Sequence, residues 1–142
     1  MQGDHVHLIV EAAGKEALAR GMKAVASRLA RAVQSVLGAE GKILFGRYQL
    51  RILRTPREVR NALAYVLLNL RKHWQQRRGE APSLLLDEAS SGRWFDGWRA
   101  APPEPASRSR AEAREVAQPH TWLLACGWRR HGLIDPAEVP GR

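Results

Sequence analysis

Residues 4–11 read DHVHLIVE, and whether this stretch is a strand decides the fold class. Along an extended backbone alternate side chains share a face, so His5, His7 and Ile9 point one way and Val6, Leu8 and Val10 the other. The aliphatic set suits a core, and the stretch is read as a strand with both imidazoles on its opposite face. That face also carries chemistry. Two imidazoles at period-two spacing can turn ring nitrogens toward one divalent cation, although H-x-H taken alone is a weak signal.

Working outward, Gly14 breaks the chain and a helix is expected over residues 15–37. Its apolar residues Leu18, Met22, Val25, Leu29, Val33 and Val36 recur at three- and four-residue steps, which predicts one buried stripe. Arg20, Lys23, Arg28 and Arg31 lie mostly off that stripe, and Gly38 and Gly41 close the helix. The stretch KILFGRYQLRIL (residues 42–53) has strand-like content and reads as a strand or bent hairpin arm, with Gly46 as a bulge. Tyr48, Leu50 and Ile52 share one of its faces, and Arg47, Gln49 and Arg51 the other.

The next helix announces its start. Thr55 is a good N-cap, Pro56 suits the first helical position, and Glu58 completes a T-x-x-E capping box. The helix is expected over residues 56–73, with Val59, Ala62, Leu63, Val66, Leu67 and Leu70 as its apolar stripe. Beyond it the chain becomes turn-rich, then rich in Pro, Ser and charge, so residues 77–119 are expected to form a partly disordered linker. Residues 120–142 are apolar again, and a segment carrying Trp122 and Trp128 is expected to dock on the body, here residues 1–76.

The 142 residues suffice for one core, and 23 Lys and Arg against 14 Asp and Glu give a net charge of +9. Such an excess favours a polyanionic partner, because each phosphate neutralised releases counterions. No apolar run approaches bilayer length and no secretory signal opens the chain, so neither a membrane partner nor export is expected. The single cysteine, Cys126, excludes an internal disulfide framework and fits a reducing cytoplasm.

Tyr65 and Asn69 stand one helical turn apart and project from the same side of the second helix, beside its apolar stripe. A phenol and an amide oxygen there can face the histidines. Two imidazoles with one amide oxygen form a mixed donor set suited to Mg²⁺ or Mn²⁺, with positions left for a phosphate oxygen and water. The plainer uses are a tyrosine finishing the core and a solvated asparagine.

Together, DHVHLIVEA (residues 4–12) and GRYQLRILRTPREVRNALAYVLLNLRKH (residues 46–73) resemble the single-tyrosine HUH transposases, in particular the REP-associated, insertion-sequence-200-like group. The resemblance covers roughly residues 3–73. It implies His5, His7 and Asn69 as metal ligands for Mg²⁺ or Mn²⁺ and Tyr65 as the nucleophile. Asn69 stands where the family more often has glutamine. The implied substrate is single-stranded DNA beside a hairpin, nicked and rejoined through a 5′-phosphotyrosine in the nucleoid-associated cytoplasm. Arg28, Arg31, Arg47, Arg51, Arg57 and Arg60 are candidates for its DNA-backbone contacts, with solvated surface charge as the alternative.

Two strands and two long helices suggest an α+β class, helices packed on an antiparallel sheet. The resemblance sharpens this to a ferredoxin-like split β-α-β sandwich of the HUH endonuclease type. Family members carry a strand and a helix ahead of the histidine pair, so the first strand and helix are expected to be missing from this chain. Rival readings are a catalytically inactive relative that grips nucleic-acid hairpins, and a histidine metallohydrolase of another kind. His73, His120 and His131 do not stand at ligand spacing. Tyr48 is the competing nucleophile, but no amide follows it by a turn. The tryptophans are read as core, with stacking on unpaired bases as their other use. The oligomeric state stays open, a homodimer included.

Overall fold

The computed structural model describes residues 5–38, 40–44, 48–70, 86–87, 89–102 and 116–140. The chain divides into two compact units: Val10–Ile52, and Met1–Ile9 together with Leu53–Arg142.

The first of these units is built on α1, Lys15–Leu37. Gly14 precedes it in extended backbone, and Gly38 ends it in the left-handed conformation, φ 61°, with its N–H donating to the Gln34 carbonyl. The Gln34 side-chain amide then donates to the Gly41 carbonyl at 2.6 Å, tying down the chain that follows. The expected buried stripe is a correction. No residue of α1 is buried; Leu18, Met22, Leu29 and Val33 are half-buried, and Val25 and Val36 are exposed.

The α+β expectation is overturned. Among the described residues there is no sheet, and strand-type pairing is confined to one isolated parallel bridge between Trp98 and Ile134. Residues 5–12 and the described parts of 42–53 have no strand assignment. Phe45, Gly46 and Arg47 lie outside the described residues. The physical reason is that β-branched and aromatic content records suitability for a pleated, half-buried surface. Without a neighbouring ladder for its N–H and C=O groups, such a stretch is extended chain and not a strand. The ferredoxin-like split β-α-β sandwich, an antiparallel sheet with helices on one face, is therefore not the architecture of this chain.

The second unit is organised by α2, Pro56–Leu67. Its start matches the capping box. The Glu58 N–H donates to Thr55 Oγ1 at 3.2 Å, and the Thr55 N–H donates back to Glu58 Oε2 at 3.0 Å. Pro56 occupies the first turn, where no backbone donor is required. The helix ends earlier than residue 73: Leu68 is a turn residue whose N–H still donates to the Ala64 carbonyl at 2.9 Å, and Asn69 and Leu70 are helical again. Residues 71–85 lie outside the described residues.

The buried face of α2 is Val59, Leu63, Ala64 and Leu67, continued by Leu68. Ala62, Val66 and Leu70 of the expected stripe are only half-buried, so the face is turned slightly from the one the periodicity suggested. What covers it comes from far along the chain. Trp128 and Ile134 join the same core at 1% and 0% exposure, with Ile9, Leu53, Leu86, Phe95, Trp98, Leu123, Leu124 and Leu133 packed around them. Trp128 sits on the 3-10 helix Gly127–His131, which packs against α2 and follows the short helix Trp122–Ala125.

Local bonds fix this lid. The Arg99 N–H donates to the Ile134 carbonyl at 2.8 Å, and the Ile134 N–H to the Gly97 carbonyl at 3.0 Å. Both core-facing indoles satisfy their N–H groups: Trp98 Nε1 donates to the Gly92 carbonyl and Trp128 Nε1 to the Leu124 carbonyl. Phe95 stacks on Trp128 with ring centroids 5.5 Å apart. Position 97 must be glycine, because a Cβ there would collide with Trp128 and approach Phe95 Cζ to 2.6 Å. Arg60 of α2 ties the far segment down, its guanidinium donating to both Glu138 carboxylate oxygens at 2.9 and 2.8 Å and to the Gly132 and Leu133 carbonyls. Residues 77–85, 88 and 103–115 of the expected linker lie outside the described residues. Among the described residues no helix is long and apolar enough to cross a membrane.

Candidate functional site

All four residues of the expected centre belong to one unit, the one formed by Met1–Ile9 and Leu53–Arg142. Ile9 packs against the core cluster and anchors the extended segment that carries the histidines. The segment's faces are the reverse of the expected ones: Val6 and Leu8 are exposed at 59% and 48%, while His7 and Ile9 are half-buried. Alternation defines two faces but cannot say which one meets a core. Here His7 and Ile9 are turned inward, while His5 at the end of the segment is exposed.

That inversion brings the histidines to α2. The His7 ring meets the Tyr65 ring edge-on, with centroids 4.9 Å apart and planes at 80°. The His5 ring meets His7 in the same manner, at 4.7 Å and 79°. Three rings separated by some sixty residues of sequence thus form one continuous row. Tyr65 is half-buried, next along the helix to Ala64 in the core. Asn69, one turn further, is buried at 9% exposure rather than solvated. His7 Nε2 and Asn69 Oδ1 are both sealed from solvent.

The donor types of His5, His7 and Asn69, two imidazole nitrogens and an amide oxygen with no thiolate, are those that suit a divalent cation. Among the described residues no group of three or more His, Cys, Asp or Glu side chains is placed to hold a metal. His120 and His131 are exposed, and His73 lies outside the described residues. Tyr48 belongs to the other unit and is 51% exposed.

The arginines divide into groups. Arg28 and Arg31 are exposed on α1, and Arg51 is exposed in the same unit. Arg57 is exposed in the first turn of α2, and Arg47 lies outside the described residues. Arg60 is different. Its side chain is 17% exposed and its donors are engaged by Glu138 and two carbonyls, so it holds the fold together. Sequence reasoning also missed a surface pair, Trp122 with Arg130, whose guanidinium carbon lies 4.8 Å from the ring centroid. The adjacency of Trp and Arg in GWRRH (residues 127–131) was the available signal, but nothing in the sequence ties Arg130 to Trp122 and not to Trp128.

No protein-family profile matches the chain, and neither curated proteins nor solved structures give a match.

Proposed function

We propose that this chain is a tyrosine-dependent DNA strand transferase that cuts and rejoins single-stranded DNA beside hairpins, with Mg²⁺ or Mn²⁺ as cofactor. One observation carries the reading: the contiguous row His5–His7–Tyr65, with Asn69 one turn beyond. The reading needs no sheet, because one anchored extended segment, α2 and the helical residues just beyond its Leu68 turn supply every side chain.

His5, His7 and Asn69 would hold the cation. When bound, such an ion acts as a Lewis acid on a phosphate oxygen. The protein's own part is positioning and attack. Tyr65 Oη forms a bond to phosphorus, the bond from phosphorus to the 3′ oxygen breaks, and a 5′-phosphotyrosine is left on the enzyme. The phenol gives up one proton and the leaving 3′ oxygen gains one, so the step is balanced without an external energy source. Attack by another 3′-hydroxyl reverses it and joins strands. The edge of His7 against Tyr65 restricts the phenol to few orientations, which favours attack along one line. The charge of +9, with exposed Arg28, Arg31, Arg51 and Arg57, supports a nucleic-acid substrate.

The test is covalent capture. The full chain is incubated with Mn²⁺ and a hairpin-flanked single-stranded oligonucleotide, then resolved under denaturing conditions. A protein–DNA adduct is expected for the wild type and for Tyr48→Phe, and none for Tyr65→Phe or in EDTA. Adducts that survive in Tyr65→Phe would end the assignment. A wild type that binds the hairpin in a salt-sensitive way without any adduct would leave a non-catalytic hairpin binder in its place.

A further inference from the structure

Trp122 is a large aromatic side chain that the fold leaves outside. It is 50% exposed, while Trp128, six positions on, is 1% exposed. A single exposed apolar residue is ordinary on a protein surface, so exposure alone carries nothing. Two further observations do.

The indole packs closely on the Gly127 backbone. Thr121 caps the short helix that bears it, accepting from the Leu124 N–H at 3.3 Å. Gly127 gives the six-membered ring its room, since a Cβ there would lie 2.7 Å from Trp122 Cζ3 and 2.8 Å from Cε3. The backbone at 127 does not require glycine, because its φ is not positive; the clearance does.

The second observation is charge. The Arg130 guanidinium carbon stands 4.8 Å from the Trp122 ring centroid. Its neighbour Arg129 is bound to Asp96 at 2.8 Å, whereas among the described residues no carboxylate meets Arg130. Arg130 and His131 follow Arg129 in the same basic turn. A half-exposed π surface, with a planar cation over it that no carboxylate among the described residues meets, is a combination that can take an unpaired base and its phosphate.

We propose that Trp122 and Arg130 form a binding site for an unpaired nucleobase of single-stranded DNA. The inference rests on the reading above for its choice of nucleic acid, and uses none of its chemistry. The indole supplies the stacking surface, and the guanidinium meets the adjoining phosphate. Duplex DNA is not a ligand here, because its bases already stack on both faces.

The experiment measures binding by the full chain in EDTA, where no metal-dependent strand cleavage can contribute. Three labelled ligands are compared: oligo(dT) of about a dozen nucleotides, an abasic strand of the same length, and a duplex of the same length. The wild type is expected to prefer oligo(dT) over the abasic strand by about tenfold or more. Trp122→Ala should bind both strands alike with duplex affinity unchanged, which shows the fold is retained, and Trp122→Phe should restore part of the preference. Arg130→Gln should lower the salt slope of oligo(dT) binding by about one. Equal wild-type affinity for the base-bearing and abasic strands overturns the proposal, as does absence of binding to either. Trp122→Ala that keeps the preference but loses binding to anionic phospholipid vesicles would assign the surface to lipid and also overturn it. Adducts at Tyr65 are read in a separate assay, so either proposal can fail while the other stands.

Discussion

At Asn69, just past the turn that ends α2, an amide sits at 9% exposure next to a helix whose buried residues are aliphatic. It stands one turn from Tyr65, which the His7 ring meets edge-on, and on the proposed reading its amide oxygen would join the imidazoles in holding a cation. The prediction at this scale does not depend on catalysis. Mn²⁺ at about a hundredfold over its dissociation constant should stabilise the chain by about 2.7 kcal/mol, read as a rise in Tm. His7→Ala and Asn69→Ala should each remove most of that rise, whereas Tyr48→Phe should leave it intact. An equal rise in all variants would place the ion elsewhere. The residue types at this centre were legible in the sequence. The burial of Asn69 and the inward turn of His7 were not, because both depend on a core assembled from distant segments.

Among the elements, α2 shows what local signals can specify. Thr55, Pro56 and Glu58 satisfy the first-turn donors within four residues of chain, so the cap is readable wherever the helix later packs. Thr55→Ala should cost about 1 kcal/mol in denaturant unfolding, with no change in any metal-dependent stabilisation. A loss much larger than this would mean that Thr55 also contributes to packing. Glycine at 38 was readable for the same reason, since its left-handed backbone closes α1. The two expected strands fail for the opposite reason. Residues 4–11 and 42–53 have the composition of strands, but pairing is a property of two segments, and neither segment specifies its mate. The C-terminal limit of α2 was misplaced too, because the run of apolar residues continues through the turn at Leu68.

At the scale of the molecule, a contact that ties α2 to the distal chain spans 78 positions: Arg60 with Glu138. The pair is 17% and 24% exposed, and its paired geometry adds two carbonyl acceptors, so it is stronger than an open surface ion pair. Glu138→Gln should cost about 1–3 kcal/mol in denaturant unfolding. The loss should diminish when Arg60 is also changed to methionine, since the second change removes the cation left without its carboxylate. Additive losses in the double variant would show that the two side chains do not act as a unit. No sequence pattern announces this partnership. The same holds for Gly97, whose need for a missing side chain arises only once Phe95 and Trp128 are stacked above it.

Because α2 receives its cover from Trp128 and Ile134, the order of synthesis matters. Some sixty residues separate the end of this helix from Trp128, and a nascent chain halted before residue 128 would lack that part of its cover. Closing so long a loop early in folding is entropically unfavourable. The buried face of α2 therefore gains its Trp128 and Ile134 cover only after nearly the whole chain has been made.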